Sequence, residues 1–166
     1  MKYCAPVGDR MARRFITPGE ALRFQLETMI REVHSDGISH ANRIPHNRAL
    51  LDAYRKADIP VKQADVIDYD PIDEIYFALQ SLTQQAPKQY SRTFRPGQGE
   101  GTHTDPHKLV VTYTHNAGAF FSIAGSPAQL ITPQHIIAFD GTTPHEVSMP
   151  LGGNVRRTIS AFGVDI

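Results

Sequence analysis

Residues 108–140 read KLVVTYTHNAGAFFSIAGSPAQLITPQHIIAFD, and their spacing decides the fold. Short runs rich in Val, Ile, Thr, Phe and Tyr (KLVVTYTH, GAFFSI, AQLIT, HIIAFD) are broken by NAG, GSP and TPQ. Each run is too short for a helix and each break carries turn residues, so the segment reads as closely spaced strands. The pattern extends both ways, upstream to QYSRTF behind PGQG and downstream to HEVSM and VRRTISAFGV behind DGTTP and PLGGN. Many short strands with tight turns and no intervening helix predict an antiparallel sandwich or barrel from about residue 89 onward.

The chain before residue 89 follows another period. Thr17-Pro18-Gly19-Glu20 supplies a cap, a proline at the first helical position and a glutamate to close a capping box. Leu22, Leu26, Met29, Ile30 and Val33 then recur at helical spacing. Asp70-Pro71 starts a second helix with the stripe Ile72, Ile75, Tyr76, Leu79 and Leu82, stopped before Pro87, and Asn47–Ala57 reads as a shorter one. Such stripes are core faces. The expected architecture is α+β, mainly β, in one domain: a helical supporting layer over 1–88 on a double-stranded β-helix, or jelly roll, over 89–166.

At 166 residues the chain has room for one substantial core. Lys+Arg and Asp+Glu both total 17, which provides no bulk field for nucleic acid or anionic membranes. Cys4 is the single cysteine, excluding an intrachain disulfide and suiting a reducing compartment. The opening MKYCAPVGDRMARRF lacks a signal-peptide apolar run, and no later stretch is long and apolar enough to span a bilayer, so a cytoplasmic protein is expected.

Gly99–His107, GEGTHTDPH, places two histidines and two carboxylates at the head of KLVVTYTH. Side chains alternate in an extended chain, so His103 and Asp105 project to one side and can share a metal. Two histidines and one carboxylate, leaving positions open, suit non-haem Fe(II). The third ligand is expected across the barrel on a later strand, among His107, His115, His135 and His145. His107 follows Pro106 at the turn, His115 ends its strand remote from the site, and His135 opens a strand at the surface. His145, after DGTTP, returns to the start of an earlier strand and is the choice. Glu100 reads as a solvated turn residue.

HEVSM, PLGGN and VRRTISAFG read as a hairpin turning at Gly152-Gly153. In that register His145 lies opposite Ser160, and Arg156, Thr158 and Ser160 face the metal while Arg157 points away. A one-residue slip exchanges the two arginines. An inward arginine calls for an anionic partner, which a dicarboxylate cosubstrate supplies by a charge-assisted pair.

His103-Thr104-Asp105, then His145, then Arg156 with Ser160 resembles the HxD…H…R pattern of the Fe(II)/2-oxoglutarate-dependent dioxygenases, and PHEV followed by RRTIS is similar to the matching strands of prolyl hydroxylases. The resemblance covers about residues 89–166. It implies that His103, Asp105 and His145 bind Fe(II), that Arg156 and Ser160 hold the far carboxylate of 2-oxoglutarate, and that Tyr113 touches the same group. It also implies hydroxylation of a C–H bond of an amino-acid, peptide or protein substrate, with O2 consumed and succinate and CO2 released. Arg43, Arg48, Arg92 and Arg95 are candidates for an entrance binding an anionic substrate, and Tyr90 and Phe94 for stacking on it, although surface arginines and core aromatics are the commoner roles. Rival readings are a cupin-like metal site built from His103, His107 and His145 without cosubstrate, an AlkB-like nucleic-acid demethylase, which the neutral charge balance counts against, and a sandwich with incidental histidines.

Overall fold

The structure, a computed structural model, describes residues 18–43, 55–56, 58, 71–124 and 126–165. Helix α1 spans Pro18–Asp36 and helix α2 Pro71–Thr83. Each ends in a left-handed residue that no helix can continue: Gly37 (φ 79°) donates its N–H to Val33 O at 2.8 Å, and Gln84 (φ 59°) donates to Gln80 O at 2.9 Å. The expected cap at Thr17, Arg48 and nearly all of the short helix expected over 47–57 lie outside the described residues.

The strands are β1 (Asn42–Arg43), β2 (Lys88–Phe94), β3 (Glu100–His103), β4 (Leu109–Thr114), β5 (Ala119–Ile123), β6 (Gln129–Ile131), β7 (His135–Phe139), β8 (His145–Val147) and β9 (Arg157–Val164). They form two antiparallel sheets, a larger one ordered β1-β7-β4-β9-β2 and a smaller one ordered β3-β8-β5-β6. From β2 onward the chain passes repeatedly from one sheet to the other, which is the winding of a jelly roll. No described helix is long and apolar enough to cross a membrane.

The central strands β7, β4 and β9 of the larger sheet are covered on both faces. Leu109, Val111, Tyr113, Ile136, Ala138, Phe162 and Val164 turn outward onto the helices, where Leu22, Leu26, Met29, Val33, Ile75 and Leu79 meet them. Ile30, Ile72, Tyr76 and Leu82 complete the helical stripes as partly buried neighbours. Val110, Ile137 and Phe139 turn inward and pack with Phe121, Ile123 and Ile131 of the smaller sheet.

The expected β8–β9 hairpin is not formed. β8 pairs with β3 and β5, whereas β9 pairs with β2 and β4, so the PLGGN segment carries the chain from one sheet to the other. Gly152 (φ 101°) and Gly153 (φ 77°) still make the turn, and Leu151 N–H anchors it on Gly118 O at 2.9 Å. His145 is therefore opposite His103 and Ile123, while Ser160 is opposite Ser91 and Tyr113.

Leu26 is fully buried between the helices and the larger sheet. Leu26→Ala is expected to lower the unfolding free energy by about 3 kcal/mol, read as a fall in the urea midpoint at unchanged slope. A loss within experimental error would show that the helical layer does not share the core of the sheet.

Candidate metal centre

His103 closes β3, Asp105 follows it, and His145 opens β8 on the neighbouring strand. The third ligand thus comes from beside the HxD segment in the same sheet and not from across the barrel. One ligand atom from each residue lies within 4.8 Å of the others. His145 Nε2 is 3.1 Å from Asp105 Oδ2, and His103 Nε2 is 4.0 Å from Asp105 Oδ1. Ligands about 2.1 Å from one metal at neighbouring octahedral positions stand about 3 Å apart, so a small inward adjustment closes the set.

The imidazoles are oriented for this. His103 Nδ1–H donates to Gly101 O at 2.8 Å and His145 Nδ1–H to Thr143 O at 2.7 Å, which leaves both Nε2 lone pairs facing Asp105. His145 is 4% exposed, its ring held by Phe139 at 4.7 Å, Phe121 at 5.8 Å and His103 at 4.3 Å between centroids. The turn before it is rigid, because Asp140 Oδ1 accepts from the Thr142 N–H and hydroxyl. Gly141 O in that turn accepts the Asp105 N–H at 2.7 Å and so ties the carboxylate ligand to the strand carrying His145. A side chain at Gly141 would put Cβ 2.5 Å from His107 O and 2.7 Å from Val110 Cγ2, so only glycine allows the approach. His103, Asp105 and His145 are positioned to bind a metal, and their donor set is the facial triad that suits Fe(II).

The triad lines a pocket that runs between the two sheets. Tyr90, Arg92, Phe94, Glu100, Thr112 and Arg157 line it. Arg157, not Arg156, is the inward arginine. β9 pairs Arg157 with Phe94 and sends Arg157, Ile159 and Ala161 inward, whereas Arg156 is exposed and precedes the strand. Ser160 and Tyr113 also face away from the pocket. Ser160 Oγ is 2.7 Å from His115 Nε2, Tyr113 contacts the His115 ring at 4.9 Å, and Tyr113 belongs to the core facing the helices. Arg157 is 4% exposed, and its Nη2 donates to Thr114 Oγ1 at 3.1 Å while its Nε has no partner. No described acidic side chain pairs with it, and burial lowers its pKa to about 10, which leaves it charged at neutral pH.

Of the remaining candidates, His107 lies apart from the triad. Its Nδ1 is 2.8 Å from Asp165 Oδ1, and its ring rests where a side chain at Gly163 would come within 2.2 Å. The cupin-like set of His103, His107 and His145 is therefore not assembled. His135 Nδ1 is bonded to Thr132 N–H at 3.0 Å, and its pKa is lowered by burial and by nearby Arg43. Arg43 and Arg95 are exposed away from the pocket. Glu100 is partly buried in the pocket instead of solvated, and Arg157 points into the pocket instead of outward. The glycines on either side of Glu100 are the available sign of an irregular strand there.

The comparisons bear on the fold. A prolyl hydroxylase from Trichoplax adhaerens, in complex with a hypoxia inducible factor oxygen degradation domain peptide fragment, superposes over 86% of this chain and 90% of its own, with a TM-score of 0.54 and 12% identity. A prolyl-4-hydroxylase from Pseudomonas putida superposes over 84% and 94%, with a TM-score of 0.51 and 16% identity. This chain has the fold of those hydroxylases. A cupin-like protein from Thermotoga maritima aligns over 48% of this chain at 14% identity and a TM-score of 0.42, and this chain spans 58% of its length. No family model matches the sequence, and no curated protein matches it.

Gly141→Ala is expected to weaken Co(II) binding roughly ten- to a hundredfold by parting Asp105 from His145. Gly101→Ala, whose added Cβ would meet nothing within 4 Å, is expected to leave it unchanged. Calorimetric titration of the two variants checks this, and equal affinities would show that the Gly141 contact does not set the triad.

Proposed function

We propose that the protein is an Fe(II)- and 2-oxoglutarate-dependent oxygenase that hydroxylates a C–H bond of an amino-acid or peptide substrate. The observation that carries this reading is Arg157, a buried guanidinium with an unpartnered Nε in the same pocket as the two-histidine, one-carboxylate triad. A buried cation without a counter-charge is costly, and a dicarboxylate held on the metal side of the pocket supplies that charge at its far end. A metal site working without such a cosubstrate leaves Arg157 unexplained.

His103 Nε2, His145 Nε2 and the Asp105 carboxylate would hold the iron. Arg157, steadied by the Thr114 hydroxyl, would receive the far carboxylate of 2-oxoglutarate. When bound, iron and 2-oxoglutarate supply O2 activation, with the cosubstrate oxidised to succinate and CO2 and one oxygen atom entering the substrate C–H bond. The chain's share is to fix the donors, to pair the cosubstrate's charge and to keep water from the reacting centre with the apolar wall of Val110, Phe121, Ile137 and Phe139. The peptide bound by the Trichoplax hydroxylase supports a peptide among the substrates to test.

Succinate release at varied 2-oxoglutarate concentration tests the assignment. Arg157→Gln is expected to raise the KM for 2-oxoglutarate roughly a hundredfold and Arg156→Gln to leave it near the wild-type value. The opposite pattern, or no dependence on 2-oxoglutarate in the wild type, would overturn the proposal.

A further inference from the structure

The irregularity in β3 points to a second recognition element at the pocket mouth. In a regular strand residues three apart face opposite sides, so Glu100 would turn away from the pocket that His103 faces. The pairing of β3 with β8 slips between Glu100↔Val147 and His103↔His145, and this bulge brings both side chains into the one pocket. Glu100 there accepts Arg92 Nη1 on both carboxylate oxygens, and its Oε1 lies 3.5 Å from His103 Nε2. Arg92 lies on β2, an edge of the larger sheet, and Glu100 on β3, an edge of the smaller one, so the pair bridges the open side between the sheets.

The charges around the pair restrict what can replace it. The Arg92 and Arg157 guanidinium carbons lie 5.1 Å and 5.6 Å from the centroid of the same Phe94 ring. A simple anion would take Arg92 alone and a simple cation Glu100 alone, each separating the pair and matching only one of its halves. A ligand carrying both charges one carbon apart can meet both partners at once. Resting on the oxygenase reading above, we propose that Arg92 and Glu100 recognise the head group of a free α-amino acid, Arg92 taking its carboxylate and Glu100 its ammonium. The interior of a peptide offers neither charge. Tyr90, two residues before Arg92 on the same face, lines the pocket beside it.

The test is calorimetric titration of the full chain loaded with Mn(II), without O2, using the twenty free amino acids and their Nα-acetyl and α-amide derivatives. At least one free amino acid is expected to bind, and blocking either end to weaken it roughly ten- to a hundredfold. Arg92→Gln should abolish the penalty for amidation and keep that for acetylation, and Glu100→Gln should do the reverse. Arg92→Lys, which keeps the charge, should retain both, and thermal denaturation confirms that each variant is folded. Blocked forms binding as well as free ones, no free amino acid binding, or variants with unaltered end-group preference would overturn the proposal. Titration with 2-oxoglutarate on the same samples separates the two readings. Amino-acid selectivity without cosubstrate binding refutes the oxygenase reading alone, and cosubstrate binding without end-group selectivity refutes the head-group site alone.

Discussion

Burial of the central strands β7, β4 and β9 of the larger sheet on both faces is the constraint from which the rest of the molecule follows. One face meets the two helices and the other closes the pocket. A sheet in that position must be apolar on both sides, so its strands can display only a few polar side chains inward. Thr112, Thr114 and Arg157 are among those few, and each faces the pocket or a partner within it. The helical layer thus contributes to the site without supplying a described residue to it, by letting the sheet spend its inner face on chemistry.

The same constraint sets what could be read from the residues alone. The strands of 108–164 and the two long helices were legible because turn residues and helical stripes mark them directly, and the jelly roll followed from their number and spacing. His103 and Asp105 were legible from two-residue alternation, and His145 from its place after a tight turn. Orientation on β9 was not legible. RTISAFGV is buried almost throughout, so no polar–apolar alternation distinguishes the inner face from the outer. The inward arginine is for that reason Arg157 and not Arg156, and Ser160 shares the outer face of β9, whereas Tyr113, expected from the family resemblance alone, lies outward on β4. The supposed hairpin failed for a related reason, since a glycine pair fixes a turn and says nothing about which sheet receives the next strand. Glu100 escaped because a bulge changes parity without a side-chain signature of its own.

The electrostatics divide along the same lines. Asp105 lies beside His145, Glu100 beside Arg92, and His107 beside Asp165, each within reach of an opposite or titratable partner. Arg157 departs from that rule among the described side chains of the pocket, and its depressed pKa records the cost of desolvation without a compensating anion.

The metal donors all belong to the smaller sheet and its adjoining segments, whereas Arg157 and Thr114 belong to the larger one. Any molecule that reached both groups would have to cross the gap between the sheets. Phe121 of the smaller sheet and Phe139 of the larger, 4.7 Å apart between ring centroids, stand in that gap beside His145. The two rings hold the sheets apart beside His145, so their size sets how closely the two halves of the pocket approach each other.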